Sequence, residues 1–253
     1  MKRLRYQILM YALITIFSWM IVGLGAARQS GQKVKSLQPV IMNEENNHFL
    51  EIEDVRKMVR EIQQRPIEEC LQGDVKISEI ESSLDKNPYV KVAEAYTDIG
   101  GNVVVQLQLR KPLARVVYED GTGFYLDQDF NKVDLSSNFS ANTILLRGLE
   151  KETLIPRDTV VSEQLNNLHE FLNYVDRSEF LRSQISEVVR APNGELLILP
   201  EVGDVSIEFG LPEELEEKFE NMELFYKKVL NHVGWRKYKS ISLKYKNQVV
   251  ARR

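Results

Sequence analysis

Ser83-Leu84-Asp85-Lys86 has the S-x-x-K spacing, in which a lysine one helical turn after a serine can take the hydroxyl proton and release an acylating nucleophile. Penicillin-binding enzymes combine that pair with S-D-N and K-T-G segments, and this chain has neither. The pair also stands just before Asn87-Pro88, where the residue preceding proline avoids helical backbone. It is read as the fraying end of a short helix. His48, His169 and His232 lie far apart and in no ligand spacing such as H-x-x-x-H, so each is read as a surface or boundary residue. Asp127-Gln128-Asp129 could meet a divalent cation, but within FYLDQDFNK Asp and Asn are the residues a tight hairpin turn requires. Gly121-Thr122-Gly123 lacks the third glycine and the following helix of a dinucleotide fingerprint. Cys70, the single cysteine, permits no intramolecular disulfide and reads as a small buried apolar residue. The chain is expected to have no catalytic set, no metal and no cofactor.

The strongest physical signal is a contrast between the two ends. After MKRLR, residues 6–27 carry no charged side chain. Those 22 residues would span about 33 Å as a helix, matching a hydrocarbon core of about 30 Å. The length favours a retained transmembrane helix. A cleaved signal peptide is the alternative, since Gly23, Gly25, Ala26 and Ala27 offer small residues but the run exceeds the usual apolar region. Basic residues flank the run almost equally, with Lys2, Arg3 and Arg5 before it and Arg28, Lys33 and Lys35 after it. An N-terminal anchor with a five-residue head exports the chain beyond it, so residues 28–253 are expected outside the cytoplasmic membrane.

The exported part keeps 30 Lys and Arg against 37 Asp and Glu, which excludes a dominant nucleic-acid surface. Its elements follow from periodicity. Residues 28–36 read as a polar linker, and LQPVIM (37–42) as a strand in which Pro39 marks a sheet edge. Ile52, Val55, Met58, Val59 and Ile62 form a helical stripe closed by Pro66. Ser78 and Glu81 fit a capping box opening a second helix, lined inside by Ile77, Ile80 and Leu84. YVKVAEAYTD and VVVQLQLR then form a hairpin across Ile99-Gly100-Gly101-Asn102. The order over 37–112 is β-α-α-β-β, two helices on a three-stranded sheet with free edges. From Leu113 come short strands, a helix over 162–175, three more strands, a long helix over 213–230 and a closing alternating strand, ISLKYKNQVVARR (241–253). Trp235 reads as a core plug or an interface residue, and the charged runs at 213–217 and 236–239 as solvated faces. The fold class is α+β.

Several local patterns then fit one family. They are Asn87-Pro88-Tyr89-Val90, Lys111-Pro112-Leu113-Ala114, Gly123-Phe124-Tyr125-Leu126-Asp127, the Gly203–Gly210 strand and Ser242-Leu243-Lys244-Tyr245. In this order they resemble the FtsQ/DivIB family of bacterial division proteins, built as an anchor, a POTRA domain and a β domain. The domains expected on that basis are a cytoplasmic tail (1–5), a transmembrane helix (6–27), a linker (28–36), a POTRA-like domain (37–112) and a β domain (113–253). Asn131 stands where the family's hairpin often has glycine, and Ser242 and Lys244 replace an acid and an arginine of its terminal motif.

The resemblance implies a non-enzymatic scaffold at the division septum of the inner membrane, whose β domain holds FtsB or DivIC with FtsL. A terminal strand with an unpaired edge suits that task, because a partner segment can add to it by β-augmentation. By resemblance Lys244 and Tyr245 lie in the partner-binding strand. Ser242, Lys246, Gln248 and Val250 join them as physical neighbours. The alternative at this point is a strand paired on both sides, with Tyr245 in the core. Two other classes compete: a POTRA-containing transport or outer-membrane assembly factor, which should carry repeats or a barrel, and an anchored cell-wall enzyme, which should carry a nucleophile or metal set.

Overall fold

A computed structural model describes residues 14, 15, 17, 30–42, 47–137, 139–149, 163–235 and 237–253. Among these no helix is long and apolar enough to cross a membrane. The uncharged run at 6–27 lies outside the described residues except for positions 14, 15 and 17. The chain divides into two compact units between Leu109 and Arg110.

In the first unit, strand β1 (Leu37–Met42) leads to helix α1 (Ile52–Gln63), two short 3-10 turns, helix α2 (Ile77–Asp85) and the hairpin β2 (Val90–Thr97) and β3 (Val103–Leu109). The sheet order is β1-β3-β2, with β1 parallel and β2 antiparallel to the central strand. Alternation fixes which face is dry. Ala93, Ala95, Val103, Val105 and Leu107 are buried beneath Val55 and Val59 of α1 and Ile80 and Leu84 of α2. α1 opens on a capping box between Glu51 and Asp54 and ends where Gln64 turns left-handed (φ 59°), two residues before Pro66. Val34 is buried, Lys33 bridges to Leu71, the Gln32 carbonyl accepts from the Gln72 amide and Ser30 lies against Gly73, so the stretch expected as a linker is docked from residue 30 onward.

Two local expectations are corrected here. α2 starts after Lys76 and has no side-chain cap, so Ser78 and Glu81 do not form a capping box. Glu81 instead accepts from the Ala95 amide (2.8 Å), and Asp85, one turn later, accepts from the Ala93 amide (2.9 Å). These two carboxylates close the outer edge of β2, which the sequence pattern leaves open. On β1, Pro39 offers no donor and the Leu37 carbonyl accepts from Arg56 at 3.3 Å.

The second unit is one sheet in the order β12-β11-β10-β9-β8-β7-β4-β5-β6. Its strands are β4 (Pro112–Val117), β5 (Gly123–Asp127), β6 (Lys132–Val133), β7 (Ile144–Arg147), β8 (Ile185–Arg190), β9 (Leu196–Pro200), β10 (Ser206–Gly210), β11 (Ser240–Ser242) and β12 (Val250–Arg252). Helices α3 (Glu163–Arg177) and α5 (Leu215–Phe225) line its apolar face, with the short α4 (Glu179–Gln184) leading into β8. Phe171 of α3 meets Phe209 edge-on at 5.1 Å and lies 5.5 Å from Phe219, while Tyr174 stacks on Phe219 at 5.2 Å. The long helix begins at Leu215, not 213, because Glu214 takes left-handed backbone (φ 50°). It passes through a π turn at Tyr226–Leu230 and ends with α6 (Asn231–Val233). Burial pushes the Tyr226 hydroxyl up to about 12, and Trp235 packs edge-on against that ring at 5.3 Å.

At the other end of the sheet, Asp127 is a turn anchor. Its carboxylate accepts from the amides of Asp129 (3.0 Å) and Asn131 (2.7 Å), and from Arg110 at 2.6 Å. Both charged side chains are nearly out of water, at 10% and 3% exposure. The left-handed residue of this turn is Phe130 (φ 62°), one position before Asn131, and its ring packs 4.8 Å from that of His169.

Candidate partner-docking edge

The last thirteen residues are not one strand. Ser240–Ser242 form β11, which pairs in parallel with β10 and antiparallel with β12. Between them the chain reverses: the Gln248 amide points back to the Tyr245 carbonyl (3.4 Å) and Asn247 supplies the left-handed residue (φ 57°). The expectation of a single terminal strand is overturned, for a physical reason. Both arms of a hairpin must present apolar residues to the same core, so a period of two continues across the turn. Ile241 and Leu243 are buried on the way out, and Val249 and Ala251 pack against the same core on the way back.

This rearranges the predicted site residues. Ser242, at 4% exposure, lies in a strand hydrogen-bonded on both sides and is closed to a partner. Lys244 and Tyr245 follow β11 in the connecting loop, so neither lies in a strand. Tyr245 is 50% exposed, which also removes the alternative that places it in the core. Lys244 pairs with Glu195 at 2.6 Å, its stem crossing Gly210, where an added Cβ would stand 3.0 Å from the Lys244 Cγ. Gly210 has positive φ (76°), so the bare backbone both turns there and makes room for Lys244. Lys246 reaches Glu214 at 3.5 Å, and the Asn247 amide donates to Glu217 at 2.9 Å. Gln248 is exposed beside the turn, and Val250 opens β12 opposite Ser242.

Three carboxylates that periodicity and motifs do not single out therefore hold the loop: Glu195 from the β8–β9 hairpin side, and Glu214 and Glu217 from the start of α5. The Lys244 hydrogen bond, with a second from Asn193, holds the Glu195 carboxyl below its usual range. Glu214 and Glu217 belong to an acidic run that reads as a solvated face, and nothing in their spacing points to residues some thirty positions away. Asn247 is the one available signal for the turn, since Asn accepts left-handed backbone.

What remains open is β12 itself. It ends the sheet, carries Val250, Ala251 and Arg252, and has β11 on one side only. Arg252 extends back over the sheet to Glu208 at 3.7 Å. Among the described residues no side chain reaches the outward backbone of β12 as Glu81 and Asp85 reach that of β2. A short strand with unpaired main-chain groups on one side can accept another strand.

Comparison with known families gives two matches. Residues 32–108 match a POTRA-like domain, and residues 111–252 match the family described as FtsQ/DivIB, C-terminal related. No curated protein matches the chain. The two matched segments coincide with the two compact units, and the second covers more than half of the sequence. These are domains of bacterial cell-division proteins without enzymatic activity. The chain belongs to the FtsQ/DivIB family.

Proposed function

We propose that this protein is a membrane-anchored divisome scaffold, and that its second unit recruits or stabilises the FtsB/DivIC–FtsL complex at the septum by accepting a partner strand on β12. The observation that carries this reading is that, among the described residues, β12 ends a nine-stranded sheet and nothing pairs with its outer side. Main-chain hydrogen bonds supply affinity in such an addition, and side chains beside the edge select the partner. Tyr245 and Gln248 offer an aromatic and an amide next to the turn. Lys244 and Lys246 can exchange their internal carboxylates for acidic residues of the incoming chain. The run at 6–27 serves as the anchor, with residues 1–5 in the cytoplasm and residues 28–253 on the far side of the inner membrane.

Site-specific photo-crosslinking in growing cells tests this, with the probe at Val250 or Tyr245 and a control at Lys57 on the exposed face of α1. Crosslinks from 250 and 245, but not 57, to a small single-span division protein support the scaffold and place its docking edge. Crosslinks to the same partner from 57 alone move the docking site to the first unit. In cells that express the protein, silence at all three positions removes the strand-addition reading.

A further inference from the structure

The hairpin joining β2 and β3 carries an isoleucine where turns ordinarily carry polar residues. Asp98 fixes this turn. Its main-chain amide donates to the Asn102 carbonyl (2.9 Å), and its carboxylate accepts from the Asn102 amide and side chain at 2.8 Å each. Gly101 supplies the left-handed residue (φ 85°). Ile99, at the apex, is 101% exposed. A rigid turn thus holds a branched apolar side chain wholly in water, although Asn, Asp, Ser or Gly would serve the turn better.

The position of this tip gives the isoleucine a use. The Lys35 amide donates to the Gly101 carbonyl (2.9 Å), the Gln72 amide donates to Gln32 (2.8 Å), and a Cβ added at Gly73 would stand 3.0 Å from that of Ser30. The chain entering the first unit at Ser30 is therefore laid against the same end as the hairpin tip. Ala27, the last residue of the uncharged run, is three residues earlier, a reach of at most about 11 Å. Leu71, also exposed, stands at this end beside Lys33, and Lys33 and Lys35 point into solvent around it. Of the nearby acids, Asp98 is engaged in the turn and Asp74 faces Arg65 at 3.7 Å, while Glu68 and Glu69 are exposed. The contact on offer is an apolar tip in a region of mixed charge, with Lys33 and Lys35 exposed alongside Glu68 and Glu69.

We infer that Ile99, with Leu71, inserts into the interfacial region of the lipid bilayer and seats the first unit on the membrane beside its own anchor. The inference rests on the anchor reading proposed above. An apolar side chain held at headgroup depth loses its contact with water, and this burial drives the insertion, since the exposed charges beside it (Lys33 and Lys35, Glu68 and Glu69) offset one another.

The test uses the full chain in phosphatidylethanolamine–phosphatidylglycerol vesicles. An environment-sensitive fluorophore is placed at Ile99→Cys or, as control, at Lys86→Cys. Lys86 lies beyond α2 at the opposite end of the sheet, and the native Cys70 is fully buried and does not compete for the label. Headgroup-labelled nitroxide lipid should quench the probe at 99 several-fold more than at 86. A probe at Leu71→Cys should lose most of its quenching when Ile99→Asp is added, which separates a property of the tip from one of the dye. Equal quenching at 99 and 86, in a chain that resists carbonate extraction, overturns the inference and leaves the anchor standing. Extraction of the chain by carbonate overturns both. Shielding at 99 in cells but not in vesicles assigns the tip to a protein contact and also overturns it.

Discussion

The two sheets of this protein treat their edges in opposite ways, although both are built from the same alternating strands. In the first unit, Glu81 and Asp85 take the outward amides of β2, Pro39 withholds a donor from β1, and Arg56 takes a carbonyl. In the second unit, β12 has no such cover among the described residues. Its neighbouring carboxylates, Glu195, Glu214 and Glu217, hold the loop before it instead. Edge pairing is a hazard that folded proteins suppress unless they use it. Suppression on one sheet and tolerance on the other, in a single chain, is the contrast that the proposed use of β12 as a docking edge requires.

The comparison can be broken most forcefully at the far end of the second sheet. Asp127→Ala removes the carboxylate that faces the nearly buried Arg110 charge at 2.6 Å and strips acceptors from the 127–131 turn. It should cost about 3–5 kcal/mol. Denaturant unfolding followed by Trp235 fluorescence would report the loss in the second unit, and an unchanged midpoint would show that this turn does not depend on the pair. A smaller effect is expected from Glu81→Ala combined with Asp85→Ala, which leaves two edge amides without acceptors. A loss of about 1–3 kcal/mol should accompany concentration-dependent self-association of the first unit. Glu81→Gln keeps an acceptor and should stay near wild type. If the double variant remains monomeric, the carboxylates are not edge guards.

On the open edge, Ala251→Pro removes the main-chain donor of β12 that faces away from β11 and should weaken partner capture about tenfold, equivalent to about 1.4 kcal/mol, with little change in unfolding. Equal capture by wild type and variant would mean that β12 is not the docking strand. The smallest effect concerns Glu195. Its folded carboxyl titrates below its unfolded value, so the Lys244 tie is present above the ordinary carboxylate range and is lost as pH falls through the depressed folded value. The tie is solvent-exposed, so acid should loosen the 243–249 loop, seen as faster amide exchange at Tyr245–Gln248, without a shift in the melting midpoint. Glu195→Gln should show the looser loop already at neutral pH.

Much of this is legible in the residues. Leu37–Met42, the stripe from Val55 to Ile62, and the strands around Gly100-Gly101 are readable because local periodicity and turn chemistry coincide there. The family is readable from ordered short motifs. The candidate site is less so. Alternation assigns Ser242 and Lys244 to an open strand because it is indifferent to a reversal between two arms that share one core, and only Asn247 hints at the turn. Glu81 reads as part of a helix cap because a carboxylate near a helix start has an obvious local use. Its actual partner, the amide of Ala95, is fourteen residues away.

By itself the sequence determined most of the helices and strands before residue 241, which face of each is dry, and that the chain comprises an uncharged N-terminal run followed by two folded units. Those are nearest-neighbour properties, set by side-chain volume, polarity and backbone preference over a few residues. Tertiary structure alone decided which sheet edges are closed, which strand is last in the larger sheet, and which lysines are already engaged. Main-chain amides are the same at every position, and a carboxylate can satisfy any of them within reach. Which amide that is depends on how distant elements are brought together.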